Sequence, residues 1–312
     1  MGLFKKKKPE KARPETESPL EQMDPSVRPG GVFMIQLLMK ERCETPSVQQ
    51  MTEVLTRHIG RVEAAEPSGE MASSMERVAL FAAMEHIGKF SNGQGPVQVS
   101  AMPCDTFHPE KIDEMRRSQM WDVLDDRDRI LSECKYCVFA NDMLAGALDP
   151  LERANLDMDY LEALLELYPS CEAVYFLNSG KLVRAEAIRS GEVKSLDRYI
   201  RYAVNVRFFN VNGTNDHVVD TLGMTLLYLE DLQYHFHDMD PNWVVGHAYS
   251  MASYILVNRR PVKDGDTIDG IADGRMEQSI QWKCHFEDAM IQPGRPVLDV
   301  CMNEHAAGNR EN

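Results

Sequence analysis

Residues 149–169 constrain the fold more than any other part of the chain. Asp149-Pro150 opens this segment and Pro169 closes it. Between them Leu151, Ala154, Met158, Leu161, Leu165 and Tyr168 recur three and four apart, so they share one face of a helix. Asp before Pro supplies a cap and a first-turn residue that needs no N–H partner. Short apolar runs stand on both sides: YCVFAND from Tyr136 and CEAVYFL from Cys171. Each has the length and the polar boundaries of a buried strand. A one-faced helix between such strands buries its stripe against a sheet, which makes the stripe core rather than a cofactor-binding box.

The same reasoning extends along the chain. VFMIQLLMKE from Val32 reads as a first strand, and Thr45-Pro46 opens an amphipathic helix over 46–59 carrying Val48, Met51, Leu55 and Ile59. Arg77 to Ile87 fits strand or helix; SNGQG is a turn and PVQVSAM the returning strand. His108 to Trp121 has a helical pattern, and a short helix follows the DDRDR stretch. NSGK after Leu177 is a hairpin turn. Later, 203–211 alternates like a strand, and HVVDTLGMTLLYL reads as one or two strands bent at Gly223. Asp240-Pro241 opens a helix with Val244, His247, Met251, Tyr254 and Ile255 inward, and QWKCHFEDAM and PVLDVCM form two terminal strands. The expected class is α+β: mixed, mostly antiparallel sheets with helices packed on one side, in two sequential α/β halves. The expected divisions are a basic, proline-rich disordered tail over 1–30, an N-terminal region over 31–190 and a C-terminal domain over 195–303. Five prolines and few apolar residues over 9–30 motivate the first of these.

Charge narrows the function classes. The chain carries −15 formally, and a tail with seven basic and five acidic residues leaves the remainder at −17. So acidic a body repels phosphate backbones, which argues against nucleic acid as a partner and favours a basic protein. No apolar run approaches the roughly 20 residues of a membrane helix. The start has no h-region, and Lys6 stands where myristoylation wants Ser or Thr. Leu3 and Phe4 before Lys5, Lys6, Lys7 and Lys8 are a weak membrane foot at most, and a solvated tail is the plainer reading. Seven cysteines, an odd number in a chain without an export signal, fit reduced thiols and a cytoplasmic location.

The chemical motifs thin out on inspection. His235 and His237, two apart on a strand, face one way and with Asp238 are the candidate metal ligands, with zinc the implied ion. The run resembles the HxHxDH motif of metallo-β-lactamase-like hydrolases but has Met239 and Asp240 in its last two places, and Asp240 also suits a helix cap. His247 reads as a core histidine. Cys134-Lys135-Tyr136-Cys137 lacks a second pair for zinc and precedes a strand rather than opening a helix. Asp264 to Gly270 fails as a calcium loop because Ile268 and Arg275 stand at ligand places, and it reads as a polar turn. Asn178 to Lys181 fails as a phosphate loop because Tyr175 replaces a glycine. Asp157 and Asp159 lie about 200° apart around a helix and form no acid–base pair. Arg201 and Arg207, within an aromatic and basic cluster with Arg198, Tyr199, Tyr202 and Phe208, and separately Trp243, are the candidate interaction residues.

VVDTLGMTLLYLEDLQ, DPNWVVGHAYSMASYIL, VKDGDTIDG and QPGRPVLDV resemble the bacterial domain-of-unknown-function family 4261, over about residues 203–302. The stretch from Glu152 to Leu182 is similar to a segment that accompanies that domain. The resemblance implies a bacterial, intracellular α+β protein and brings no catalytic residue. By analogy, small α+β families of this kind serve as immunity or interaction proteins. The expected function is therefore a non-enzymatic protein-binding or immunity-type module without a cofactor. The alternative is a metal-dependent hydrolase using His235 and His237, and a membrane-adjacent adaptor is a third possibility.

Overall fold

The structure, a computed structural model, describes residues 31–65 and 78–308 together with Ser18 and Leu20. The rest of the 1–30 segment, including Leu3, Phe4 and the lysine run, lies outside the described residues. Ser18 itself is buried, and its hydroxyl donates to the Glu230 carboxylate, so this point of the expected tail is tied down. The described residues up to Ala203 form one compact unit, apart from Ser18 and Leu20, which belong with Val204 onward in a second.

The first unit runs β1 (Met34–Met39), α1 (Val48–Ile59), β2 (Val62–Ala64), β3 (Ala79–Phe90), β4 (Gly93–Ala101), β5 (Asp105–Thr106), α2 (Glu114–Ser118), α3 (Arg127–Glu133), β6 (Tyr136–Met143), α4 (Pro150–Leu167), β7 (Ala173–Phe176), β8 (Lys181–Arg184), α5 (Ala185–Arg189) and α6 (Arg198–Tyr202). Its sheet has the order β2-β3-β4-β6-β1-β7-β8, with β5 also on β6, and every pairing is antiparallel. The α4 helix is capped by Asp149, as its sequence demands, and covers one sheet face, with α1 packed beside it. Its burial is wider than the apolar stripe. Arg153 and Asp157 are buried with it, because Asp142 on β6 stands opposite and accepts from the Arg153 Nε–H at 2.8 Å. The other face carries Leu38, Tyr175 and Leu182 against Ile130 and Leu131 of α3 and the loop around Phe107.

Two local expectations are corrected in this unit. The α1 cap is Ser47, not Thr45. Gln50 completes a capping box in which Ser47 Oγ accepts the Gln50 backbone N–H (3.2 Å) and the Gln50 side-chain Oε1 accepts the Ser47 N–H (2.9 Å). Such a cap contributes about 1 kcal/mol. The segment from His108 to Trp121 is broken into a single 3-10 turn over Pro109–Lys111 and the short α2, because Asp113 caps a new start by accepting the Arg116 N–H at 2.8 Å.

The second unit runs β9 (Asn205–Asn210), β10 (His217–Leu222), β11 (Asp231–Phe236), α7 (Pro241–Asn258), β12 (Thr267–Ala272), β13 (Arg275–Asp288) and β14 (Pro296–Cys301). Its sheet order is β12-β13-β14-β11-β10-β9, antiparallel except for the parallel β11–β14 pair. The molecule is α+β with two mostly antiparallel sheets. After Gly223 (φ 134°) the chain makes a 3-10 turn over Met224–Leu227 instead of a further strand. Asp231 causes this by accepting the Met224 N–H at 3.0 Å. Only the start of the expected polar turn near Asp264 is a turn: from Thr267 the chain is β12, with Asp269 buried. No helix among the described residues is long and apolar enough to cross a membrane.

Candidate functional site

Pairing register assigns the side chains of the second sheet to two faces. Arg207, Asp220, Gln233, Asp299 and His285 stand opposite one another across β9, β10, β11, β14 and β13, so they form one polar row. Val219, Tyr234, Leu298, Cys284 and Trp282 belong to the other face, which α7 covers.

Apart from the half-buried His285, the polar row is buried and closely bonded. Arg207 pairs with Asp220, its Nε–H donating at 2.8 Å. Arg295 bridges two carboxylates, donating from Nη2 to Asp220 (2.7 Å) and from Nε to Asp231 (2.9 Å). Asp231 also accepts from the Thr221 hydroxyl (2.9 Å). Burial pushes the Asp231 carboxyl up from its ordinary range, and Arg295, the Met224 N–H and the Thr221 hydroxyl pull it back. The loop before β14 is fastened over this row: Arg207 donates to the Gln292 carbonyl (2.9 Å), Arg295 to the Ile291 and Pro293 carbonyls (both 3.0 Å), and Gln233 accepts the Met290 N–H (2.8 Å). Gln233 then donates to Asp299 at 3.0 Å. The arginines neutralise Asp220 and Asp231 while spending their donors on loop carbonyls, so this network fixes a loop rather than holding a reactive group.

Arg207 is therefore not the exposed interface residue expected from sequence. It is 4% exposed, and its guanidinium serves the network. The aromatic and basic cluster around it does not hold together: Tyr199 and Tyr202 are buried, Arg198 pairs with Asp159 and Glu162, and Arg201 is exposed, its carbonyl accepting the Lys181 ammonium at 2.6 Å.

The histidine candidates partner separate carboxylates. His235 is buried with Nε2 3.7 Å from Asp216, and Gly308 lies so close that an added Cβ would sit 2.8 Å from its Nδ1. His237 lies beyond the end of β11, with Nδ1 2.9 Å from the exposed Asp238, a residue in the left-handed region (φ 53°). Among the described residues, no group of three or more His, Cys, Asp or Glu side chains is placed to hold a metal ion.

On the opposite face His247 is enclosed. A carbonyl only accepts, so the 2.9 Å contact between His247 Nε2 and the Asp269 carbonyl places the ring proton on Nε2. Nδ1 then accepts from the Tyr234 hydroxyl, also at 2.9 Å, and the ring packs on Trp282 with centroids 5.1 Å apart. Burial depresses the His247 pKa to about 4, with the Asp269 carbonyl opposing. His247 is a neutral, hydrogen-bonded core histidine at neutral pH.

Above it a groove of about 220 Å³ opens between the first turns of α7 and the β12–β13 turn. Asp240 caps the helix by accepting the Asn242 N–H (2.9 Å), which sets Trp243 on the first turn facing the hairpin. The hairpin turns at Asp273 (φ 50°) and Gly274 (φ 74°), a left-handed pair suited to a tight two-residue turn. Trp243 lies across that turn, its Nε1 2.9 Å from where a Cβ on Gly274 would stand. At Gly246 an added Cβ would meet nothing within 4 Å, so the wall there is open. His247, Ile271 and Met276 line the remainder. Trp243 stays 38% exposed, as its role as a candidate interaction residue requires.

The whole groove, and every member of the polar row except Arg207, falls within residues 220–301, which match the family model described as Domain of unknown function (DUF4261). The likeness to DUF4261 is that of this stretch, about a quarter of the chain. The match spans β10 to β14, inside the 203–302 stretch whose wording resembled that family. No curated protein and no solved structure matches the chain. In this matched stretch sequence reasoning passed over Asp220, Asp231 and Asp299. The available signal was a single carboxylate in each of three largely apolar strands, HVVDTL, DLQYHF and PVLDVC.

Proposed function

We propose that the chain is a non-enzymatic binding module, of immunity type, that holds a basic polypeptide segment in the groove between α7 and the β12–β13 turn. The observation that carries this reading is the half-exposed Trp243, held across Gly274 at the mouth of an open groove. Tryptophan on a rigid support is the commonest kind of interface anchor, and its face attracts Lys and Arg. Acidic residues flank the lining: Asp240 before Asn242, Asp273 before Gly274 and Glu277 after Met276, against Arg275 alone. The net charge of −15 draws the same class of partner from a distance. Asp231, Tyr234, His247 and Cys284, perturbed ionisable groups of this unit, are buried, and Asp231, Tyr234 and His247 spend their hydrogen bonds within the fold, which supports binding over hydrolysis. We assign the module to a reducing bacterial cytoplasm, in keeping with seven cysteines outside any disulfide.

The test is a fluorescence-anisotropy screen of full-length protein against Lys/Arg-rich peptides of about a dozen residues, a length that covers a groove of this size. Binding in the micromolar range that weakens steeply with salt is expected. Uniform failure of the basic peptides, or salt-insensitive binding, overturns the reading.

A further inference from the structure

Three groups in the first unit meet where nothing in the binding reading uses them. Cys43 lies in the connector between β1 and α1 and is half-buried; Cys104 lies just before β5 and is 6% exposed. The Cys43 N–H donates to the Cys104 sulfur at 3.4 Å, which puts the Cys43 Cα within about 5 Å of that sulfur. The two side chains are also within hydrogen-bonding reach of each other. That approach places the two thiols side by side, as disulfide formation requires. The third group is Tyr168, the C-terminal cap residue of α4. It is 2% exposed, yet its hydroxyl has no hydrogen-bond partner, and it lies in the electrostatic field of both thiols. A buried hydroxyl left without a partner costs about 1–3 kcal/mol, so its persistence beside two sulfurs needs a reason.

We propose that Cys43 and Cys104 form a reversible redox-modification site that closes to an intramolecular disulfide when the protein meets a peroxide. Cys104, the acceptor of the Cys43 N–H, is the nucleophile. Its thiolate attacks one peroxide oxygen, the O–O bond breaks, and Cys104 becomes a sulfenic acid while the departing oxygen takes up a proton. The Tyr168 hydroxyl stands beside the pair to hydrogen-bond that departing oxygen. The Cys43 thiol then attacks the sulfenic sulfur, the S–S bond forms and water leaves. Two thiols and hydrogen peroxide thus give one disulfide and two waters, the sulfurs supplying both electrons. Burial, followed by the Cys104 contact, raises the Cys43 thiol to about 12, so Cys43 rests protonated and gives its proton to the departing water as the S–S bond forms.

The experiment treats reduced full-length protein with graded hydrogen peroxide, quenches with an alkylating agent in denaturant and maps linked peptides by mass spectrometry. A Cys43–Cys104 link is expected at peroxide levels that leave the methionines intact, reversed by dithiothreitol. In Cys43→Ser, Cys104 is expected to accumulate as a dimedone-reactive sulfenic acid, and in Tyr168→Phe the link is expected to form several-fold more slowly. Full alkylation of both residues while methionines oxidise overturns the proposal, and so does a link from Cys104 to Cys137.

Discussion

Acidification reads out His247 directly. Its folded pKa of about 4 lies below the ordinary imidazole value of 6.5, because burial holds the ring neutral. As pH falls below 6.5, the unfolded chain takes a proton that the native ring refuses, so stability is present above that value and is lost on the way down to about 4. The displacement of about two and a half pKa units corresponds to about 3 kcal/mol, of which about 2 kcal/mol is gone by pH 5. Carboxylates titrate over part of the same range, so the comparison is with His247→Gln, which removes only the imidazole term. Urea unfolding followed by intrinsic tryptophan emission, to which the buried Trp282 packed on His247 contributes, is the assay. The two proteins should differ in their pH slope between pH 7 and 5 by about 2 kcal/mol, the wild type falling faster. Equal slopes would show that His247 is solvated or charged in the native state, and the argument for its enclosed, neutral ring would fail.

Three other outcomes follow from the packing. Arg295→Ala leaves Asp220 and Asp231 buried with half their compensation, and should cost about 3–5 kcal/mol in urea unfolding; a loss below about 1 kcal/mol would show the network to be dispensable. Asp157 is wholly buried and its carboxyl is pushed well up, by burial first and by Asp142 next, so its contribution to stability is lost as pH rises above the ordinary carboxylate range. Asp157→Asn should therefore melt higher than wild type at pH 8 and gain less at pH 5; a lower melting temperature at pH 8 contradicts this. Gly274→Ala forces a Cβ onto a residue at φ 74° and against Trp243, and should cost about 1–2 kcal/mol and shift Trp243 emission; unchanged unfolding would mean that the turn yields freely.

The elements legible in the sequence were those whose pattern is local. Asp149-Pro150 and Asp240-Pro241 mark real helix starts because cap, proline and apolar spacing lie within a few residues of one another. Legibility failed where a distant group decides. Met224–Leu227 has strand-like residues, but Asp231 from the next strand draws its backbone into a turn. Likewise β12 hid in a run that reads as a polar turn, because Asp269 is acceptable inside a sheet only with Gln281, its opposite number on β13, donating to it at 2.7 Å. The candidate residues divide the same way. Trp243 was legible as a large aromatic beside a helix cap. Arg207 was misplaced at the surface because its partners Asp220 and Gln292 are 13 and 85 residues away in the chain. His235 and His237 share a spacing, but the end of β11 and the turn at Asp238 give them different neighbours.

The measurement that bears most directly on the binding reading is a titration of a fluorescein-labelled basic peptide, the best of the screen, with full-length protein, followed by peptide anisotropy and repeated in two variants. Trp243→Ala removes the anchor, and Gly246→Leu fills a groove wall that has no atom within 4 Å of an added Cβ. The account predicts a saturable rise in peptide anisotropy, with affinity reduced at least about tenfold in each variant, the usual scale for a buried aromatic anchor. Equal affinity in wild type and both variants would contradict it and move the binding surface elsewhere.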